Sequence, residues 1–254
     1  MPAPAGRRVT GVAVASRRHP AAGLGRASGD WIEVFRLPGG RIGVSVGDAS
    51  GHGSDAADHA TRTRRLVRAG LVNGWEPGIA VRRAVAQLGD TGERFATGLV
   101  ATLDPTNGYL RYANAGHPAA LHLEWTDPLD RVVLTALPPT GPMLVDLFAG
   151  QDAWDTAAMI LHPGDALMVY TDGLIEARDA AGVEFGFDRL ATEVIRCSRS
   201  RTPRHLLDGI FGAVDEHTAG CHADDRAALV VARPLIRACT FQPAGSAGAR
   251  SDRA

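Results

Sequence analysis

The sequence predicts an α+β protein in which two mostly antiparallel β-sheets are covered by helices on both outer faces. Short β-rich runs bounded by turn residues lie at both ends of the body, and helical segments come in blocks rather than alternating with single strands. A chain of 254 residues, 45% hydrophobic and 22% charged, can bury one large core. We expect one domain over residues 9–236, with a flexible tail at 1–8 and a disordered tail at 243–254.

Ten segments have the composition of strands and are bounded by Gly, Pro, Asn or Asp. They are Thr10–Ala15, Trp31–Leu37, Arg41–Val46, Ala96–Leu103, Tyr109–Ala113, Ala119–Leu123, Arg131–Leu134, Ala157–Leu161, Ala166–Tyr170 and Ala227–Ala232. The turn sequences Pro38-Gly39-Gly40 and Pro105-Thr106-Asn107-Gly108 predict hairpins, which make the pairing mostly antiparallel.

Four segments have helical periodicity: Ser54–Ala69, Pro77–Leu88, Phe187–Arg196 and Thr202–His217. Ser54 and Thr202 are expected N-caps, because a hydroxyl can accept a hydrogen bond from a free N–H of the first turn. Pro203 suits the first turn because its fixed φ is already helical.

Charge and composition exclude several classes of protein. The formal net charge of -1 gives no general attraction to nucleic acid or to an anionic membrane. No apolar run is long enough to cross a bilayer or to form a signal peptide. The three cysteines are too few and too far apart for a disulfide framework or a zinc ribbon, which predicts a cytoplasmic protein.

Carboxylates stand where apolar strands meet flexible turns. Asp48 ends one strand and Asp172 ends another, Asp30 precedes a third, and Asp224-Asp225 precede the last. One Asp beside Gly is usually only a turn. Four such junctions without a Cys/His ligand set are typical of a site for hard cations such as Mg²⁺ or Mn²⁺.

These segments resemble the SpoIIE/RsbU-like branch of the PPM (protein phosphatase 2C-like) metal-dependent serine/threonine phosphatases over about Val9 to Pro234. The motifs that carry the resemblance are Gly29-Asp30-Trp31, Gly47-Asp48-Ala49-Ser50-Gly51-His52-Gly53, Asn114-Ala115-Gly116-His117-Pro118, Tyr170-Thr171-Asp172-Gly173 and Asp224-Asp225. The resemblance implies a four-layer α/β/β/α sandwich with two divalent cations, Mn²⁺ or Mg²⁺, in a cleft at one edge of the sheets.

The resemblance also implies roles for individual residues. Asp48 would bridge the two metals, Asp30 and the Ala49 carbonyl would complete one ion, and Asp172 and Asp224 would hold the other. A hydroxide between the metals would attack phosphorus in line, so that no protein nucleophile is needed. Asp48 and Asp172 are therefore the expected catalytic residues.

Three further residues are expected beside the site, namely His52, His117 and Asp225. His52 could protonate the leaving group or only shape its turn, and His117 fits a structural hydrogen bond better than catalysis. Arg26, Arg62, Arg64 and Arg65 are candidates to bind phosphate, although a solvated helix face explains the last three equally well.

By resemblance alone, the expected substrate is a phosphorylated anti-sigma-factor antagonist in a bacterial partner-switching pathway, and a homodimer is one arrangement that could supply regulation. Two other functions stay open. One is a non-catalytic docking module with a phosphatase fold, which the retention of Asp30, Asp48, Asp172 and Asp224 disfavours. The other is a hydrolase of small phosphoesters, which the lack of a nucleotide-binding loop disfavours.

Overall fold

Two antiparallel sheets form the centre of the molecule. The computed structural model describes residues 7–9, 11–20, 28–126, 131–199, 202–221 and 224–234. One sheet has six strands in the spatial order β1 (Arg7–Val9), β2 (Val12–His19), β11 (Arg226–Ala232), β10 (Ala166–Tyr170), β7 (Ala120–Thr126) and β8 (Arg131–Leu137). The other has five, in the order β3 (Trp31–Arg36), β4 (Ile42–Ala49), β5 (Ala96–Leu103), β6 (Tyr109–Ala115) and β9 (Ala157–Ile160).

Helices cover the outer face of each sheet. α1 (Ser54–Val72) and α2 (Pro77–Leu88) pack on the five-stranded sheet, whereas α3 (Gly186–Ser198) and α4 (Pro203–His217) pack on the six-stranded sheet. Each helical layer shares a buried apolar cluster with its own sheet. The predicted four-layer α/β/β/α sandwich is therefore confirmed.

A third apolar cluster joins the two sheets face to face. Val44 and Leu99 from one sheet meet Val169 and Leu229 from the other, and all four are buried. Burial of each such side chain contributes about 1.5–3 kcal/mol to folding. This shared core fixes the two sheets relative to each other, and with them the strand ends that carry the carboxylates.

The strand predictions hold closely. All ten predicted segments contain a strand, Ala96–Leu103 and Ala166–Tyr170 with the predicted bounds, and both predicted hairpin turns join antiparallel neighbours. The strand Arg7–Val9 was not predicted, and the domain bounds 9–236 stay a prediction. The expected tail at 243–254 and the first six residues lie outside the described residues.

The N-caps of α1 and α4 differ in part from the prediction. Ser54 is not the N-cap of α1, because Gly53 holds that position with a φ of 79°, a conformation that glycine adopts without strain. Thr202 is the N-cap of α4 and Pro203 follows it, as predicted. The Thr202 hydroxyl, however, makes its 2.9 Å contact with Nδ1 of His205 and not with a backbone N–H.

Within the part of the chain that is described, no helix has both the length and the apolar character needed to cross a lipid bilayer.

Candidate active site

The end of β4 and the loop before β3 form the first half of the site. The Ala49 N–H donates to the Gly29 carbonyl at 3.2 Å, which brings Asp30 beside Asp48. A Cβ at Gly29 would clash with the Ala49 carbonyl oxygen and would lie 2.8 Å from Asp48 Oδ1. Gly29 is therefore required for close approach, and that approach places Asp30, Asp48 and the Ala49 carbonyl together.

The end of β10 supplies the second half. Asp172 begins a single 3₁₀ turn, Asp172–Leu174, directly after Thr171. A Cβ at Gly173 would clash with the carbonyl oxygen of Asp225, so this glycine lets the turn pack against the segment before β11. Asp172 and Asp224 are thereby brought to the same edge of the sandwich.

These acids interact electrostatically with one another. Burial, followed by repulsion from Asp48, raises the pKa of Asp30 to about 9. Burial, followed by repulsion from Asp172, raises the pKa of Asp48 to about 7. The pKa of Asp172 is also raised, by burial and then by Asp224. The four carboxylates thus form a continuous row, from Asp30 through Asp48 and Asp172 to Asp224.

The row suits a hard divalent cation by its chemistry, since it offers carboxylate oxygens and a backbone carbonyl. Buried acids with raised pKa values also need positive charge to ionise together. Across the described ranges, however, no three His, Cys, Asp or Glu side chains converge as a preformed metal cage. Asp48 nevertheless interacts electrostatically with both Asp172 and Asp224, the two acids on the other sheet's side of the site.

The three residues expected beside the site differ in their surroundings. His117 is 1% exposed, and its Nδ1 lies 2.9 Å from Oγ1 of Thr97, the residue opposite Asp48 in the sheet. Burial lowers the pKa of His117 to about 3, so the ring is neutral near pH 7, which favours the structural role. His52 is exposed on its loop, whereas the half-buried Asp225 donates its N–H to Asp224 Oδ1 at 2.7 Å.

The arginines proposed to bind phosphate mostly have other partners. Arg26 lies outside the described residues. Arg62 donates to a backbone carbonyl of α2, and Arg65 is exposed. Arg64 lies 3.9 Å from Glu33, which ties α1 to β3. Of these four, only Arg64 has a described link to the site, through its electrostatic interaction with a further arginine.

That arginine, Arg18, was missed by the sequence analysis. It lies on β2, and its charge interacts with the carboxylates of Asp30 and Asp225 as well as with Arg64. Partial desolvation lowers its pKa, although the side chain still reaches solvent, and Asp30 opposes the shift. The alternation of Val12, Val14 and Arg18 along the strand could have placed it on the inner face.

A family model and several solved structures all relate this chain to the same family. The model of the family Stage II sporulation protein E (SpoIIE) matches residues 38–234, well over half of the chain. The RsbU and RsbW domains of Rv1364c from Mycobacterium tuberculosis are 27% identical, with a TM-score of 0.70 over 89% of this chain and 62% of that one. The chain therefore spans less than two thirds of that relative.

Two more distant structures share the fold. The PP2C phosphatase domain of SpoIIE from Bacillus subtilis, solved with a fragment of its regulatory domain, is 19% identical. Its TM-score is 0.69 over 88% of this chain and 62% of that one. RsbX in complex with magnesium is 14% identical, with a TM-score of 0.64 over 87% of this chain and 94% of that one. The chain belongs to the SpoIIE family, in the SpoIIE/RsbU-like group of PPM phosphatases.

Proposed function

We propose that this protein is a metal-dependent serine/threonine protein phosphatase. The observation that carries the proposal is the row of acids at one edge of the sandwich, in which Asp30, Asp48 and Asp172 are buried enough to raise their pKa values. Such acids cost stability unless cations neutralise them, and they are typical of a site that binds dications.

The family resemblance implies the proposed ligands, and the proximity of the acid-bearing segments supports them. Asp30, Asp48 and the Ala49 carbonyl would hold one ion, and Asp48, Asp172 and Asp224 would hold the other. When bound, two Mn²⁺ or Mg²⁺ ions supply an activated water for in-line attack and neutralise the charge on the phosphoryl oxygens. The relative solved with magnesium supports the choice of a hard cation.

The protein's own residues have two further tasks. The guanidinium of Arg18, beside Asp30 and Asp225, offers positive charge where an anionic phosphoryl group would enter, and Arg64 adds to it. The neutral His117 keeps Thr97 in place opposite Asp48 without adding charge to the row.

The proposed substrate is a phosphorylated anti-sigma-factor antagonist. Support comes from the relative whose solved structure carries an RsbU and an RsbW domain in one protein, because this combination fits a partner-switching circuit. The formal net charge of -1 gives no long-range attraction to such a partner, so recognition would depend on local contacts around the cleft.

Release of phosphate tests the catalytic proposal. A chromogenic phosphoester and a phosphorylated antagonist protein are incubated with Mn²⁺, with Mg²⁺ and with EDTA, for the wild type, Asp48→Ala and Asp172→Asn. We expect activity only with metal, and a loss of about 100-fold or more in each variant, as for removal of a major catalytic electrostatic group.

The control is Asp58→Asn, an exposed acid on α1, which should leave activity unchanged. Activity that survives both EDTA and the two site substitutions would refute the proposal. Tight binding of the antagonist without turnover would instead identify a docking module, and turnover of small phosphoesters alone would identify a small-molecule hydrolase.

A further inference from the structure

Thr171 is a buried polar residue at the end of an otherwise apolar strand. β10 runs through five buried residues, Ala166–Tyr170, and Thr171 follows with 0% exposure. A buried hydroxyl must be hydrogen-bonded, or it destabilises the fold. Its partners therefore indicate what it does.

The hydroxyl completes the last rung between β10 and β11. The Thr171 N–H donates to the Ala227 carbonyl at 2.9 Å, as expected for antiparallel pairing. The Ala227 N–H, however, donates to Oγ1 of Thr171 at 3.0 Å rather than to the Thr171 carbonyl. That carbonyl instead accepts from the N–H of Leu174 at 3.2 Å, within the turn that carries Asp172.

The Thr171 hydroxyl takes the place of the Thr171 carbonyl as the acceptor in this rung, and this has a structural consequence. A regular rung would direct the Thr171 carbonyl towards β11 and away from the Leu174 N–H that it accepts from in the turn. The side-chain hydroxyl accepts the hydrogen bond from the Ala227 N–H instead. The backbone can therefore turn at Asp172 while β11, which follows Asp224 in the chain, stays paired with β10.

The remaining hydroxyl proton reaches the opposite sheet. Oγ1 of Thr171 lies 3.0 Å from Oδ2 of Asp30, and its other acceptor, the Ala227 carbonyl, is more distant at 3.4 Å. One hydroxyl has one proton, so the shorter contact with Asp30 is the hydrogen bond. Asp30 is itself 6% exposed and leads into the five-stranded sheet.

We infer that Thr171 is a positioning residue that fixes the Asp30 carboxylate and aligns it with the turn of Asp172 and the segment of Asp224. One hydroxyl holds three acid-bearing segments from two sheets in register. This inference rests on the proposed function, since it concerns how the row of acids is prepared for divalent cations. Groups that orient metal ligands in this way affect metal affinity by about 10- to 100-fold.

Three variants of the full chain test the inference. Thr171→Val keeps the shape of the side chain and removes the hydroxyl, whereas Thr171→Ser keeps the hydroxyl. Thr63→Val is the matched control, because the Thr63 hydroxyl is also fully buried yet has no hydrogen-bond partner among the described residues. Mn²⁺ binding is measured by titration calorimetry, and amide hydrogen exchange is measured on metal-free protein.

Thr171→Val should bind Mn²⁺ about 10-fold or more weakly, while Thr171→Ser and Thr63→Val bind within about 3-fold of the wild type. In metal-free Thr171→Val, protection of the Ala227 amide should fall about 10-fold, while that of Leu229, in the middle of β11, is retained. Equal Mn²⁺ affinity in Thr171→Val and wild type would overturn the inference, as would unchanged protection at Ala227.

The two proposals fail in different ways. A wild-type protein that binds no Mn²⁺ would refute the proposed metal-dependent phosphatase, and the exchange of Ala227 would still decide whether Thr171 fixes the register. A wild-type protein that binds Mn²⁺, with a Thr171→Val variant that binds it equally well, would refute only the role of Thr171.

Discussion

Asp48→Asn should make the metal-free protein more stable while it abolishes the proposed phosphatase activity. Burial and the neighbouring Asp172 raise the pKa of the Asp48 carboxyl from 3.8 to about 7, so ionised Asp48 opposes folding. An amide of nearly the same shape carries no charge and relieves the repulsion on Asp30 and Asp172. Residues that serve a site at the expense of stability behave in this way.

The size of the effect follows from the pKa difference. At about 1.4 kcal/mol per pKa unit, a rise from 3.8 to about 7 corresponds to about 4 kcal/mol. Asp48 is partly exposed, and solvent screening reduces the expected gain in the free energy of unfolding to about 2–4 kcal/mol. A carboxyl with a raised folded pKa contributes its stability fully below the unfolded pKa of 3.8, and that stability is lost as the pH rises to about 7. The gain in Asp48→Asn should therefore be small near pH 4 and largest at about pH 8.

Denaturant unfolding in EDTA at about pH 4, 6 and 8 measures the free energy of unfolding for wild type and variant. Addition of Mn²⁺ should then stabilise the wild type and have much less effect on Asp48→Asn, because ligand binding to the folded state adds stability by mass action. Asp58→Asn serves as the exposed control. A variant that is less stable than wild type at about pH 8, or whose gain does not change with pH, would refute the reasoning.

Three further predictions concern neighbouring structure. Gly29→Ala should weaken Mn²⁺ binding, measured by calorimetry, at least 10-fold because its Cβ would displace Asp48, and unaltered binding would contradict the close approach. His117→Gln should flatten the fall in unfolding free energy between pH 6.5 and about 4, because a buried imidazole with a pKa of about 3 stabilises the fold above its unfolded pKa and loses this effect as the pH falls. A slope identical to wild type would contradict that assignment. Asp215→Ala leaves the buried Arg226 without its 3.2 Å partner and should lower the free energy of unfolding by about 3 kcal/mol. Asp208→Ala, on the same helix, removes a more exposed ion pair with Arg17 and should lower it by less than about 1 kcal/mol. Equal losses of unfolding free energy in the two variants would show that the burial of Arg226 does not determine the strength of its ion pair.

Much of the fold was predictable because it depends on local patterns. The apolar run Ala166–Tyr170, stopped by polar residues, marks a buried strand whichever strands lie beside it. The hairpin between β3 and β4 follows from its Pro-Gly-Gly turn. The N-cap of α1 was assigned to Ser54 instead of Gly53 because a serine hydroxyl and a glycine with positive φ compete for the same position, and sequence patterns do not decide between them.

The sequence by itself determined which residues are chemically able to form the site. They are acids at the junctions of strands and turns, and their oxygen atoms are the expected metal ligands. Tertiary structure decided which of them meet. Contacts such as Thr171 with Asp30, 141 positions apart, and Arg18 beside the acids depend on how two sheets stack and how their strands register. Local propensity carries no information about such distant pairs, because their separation is set by packing of the shared apolar core and not by the residues between them.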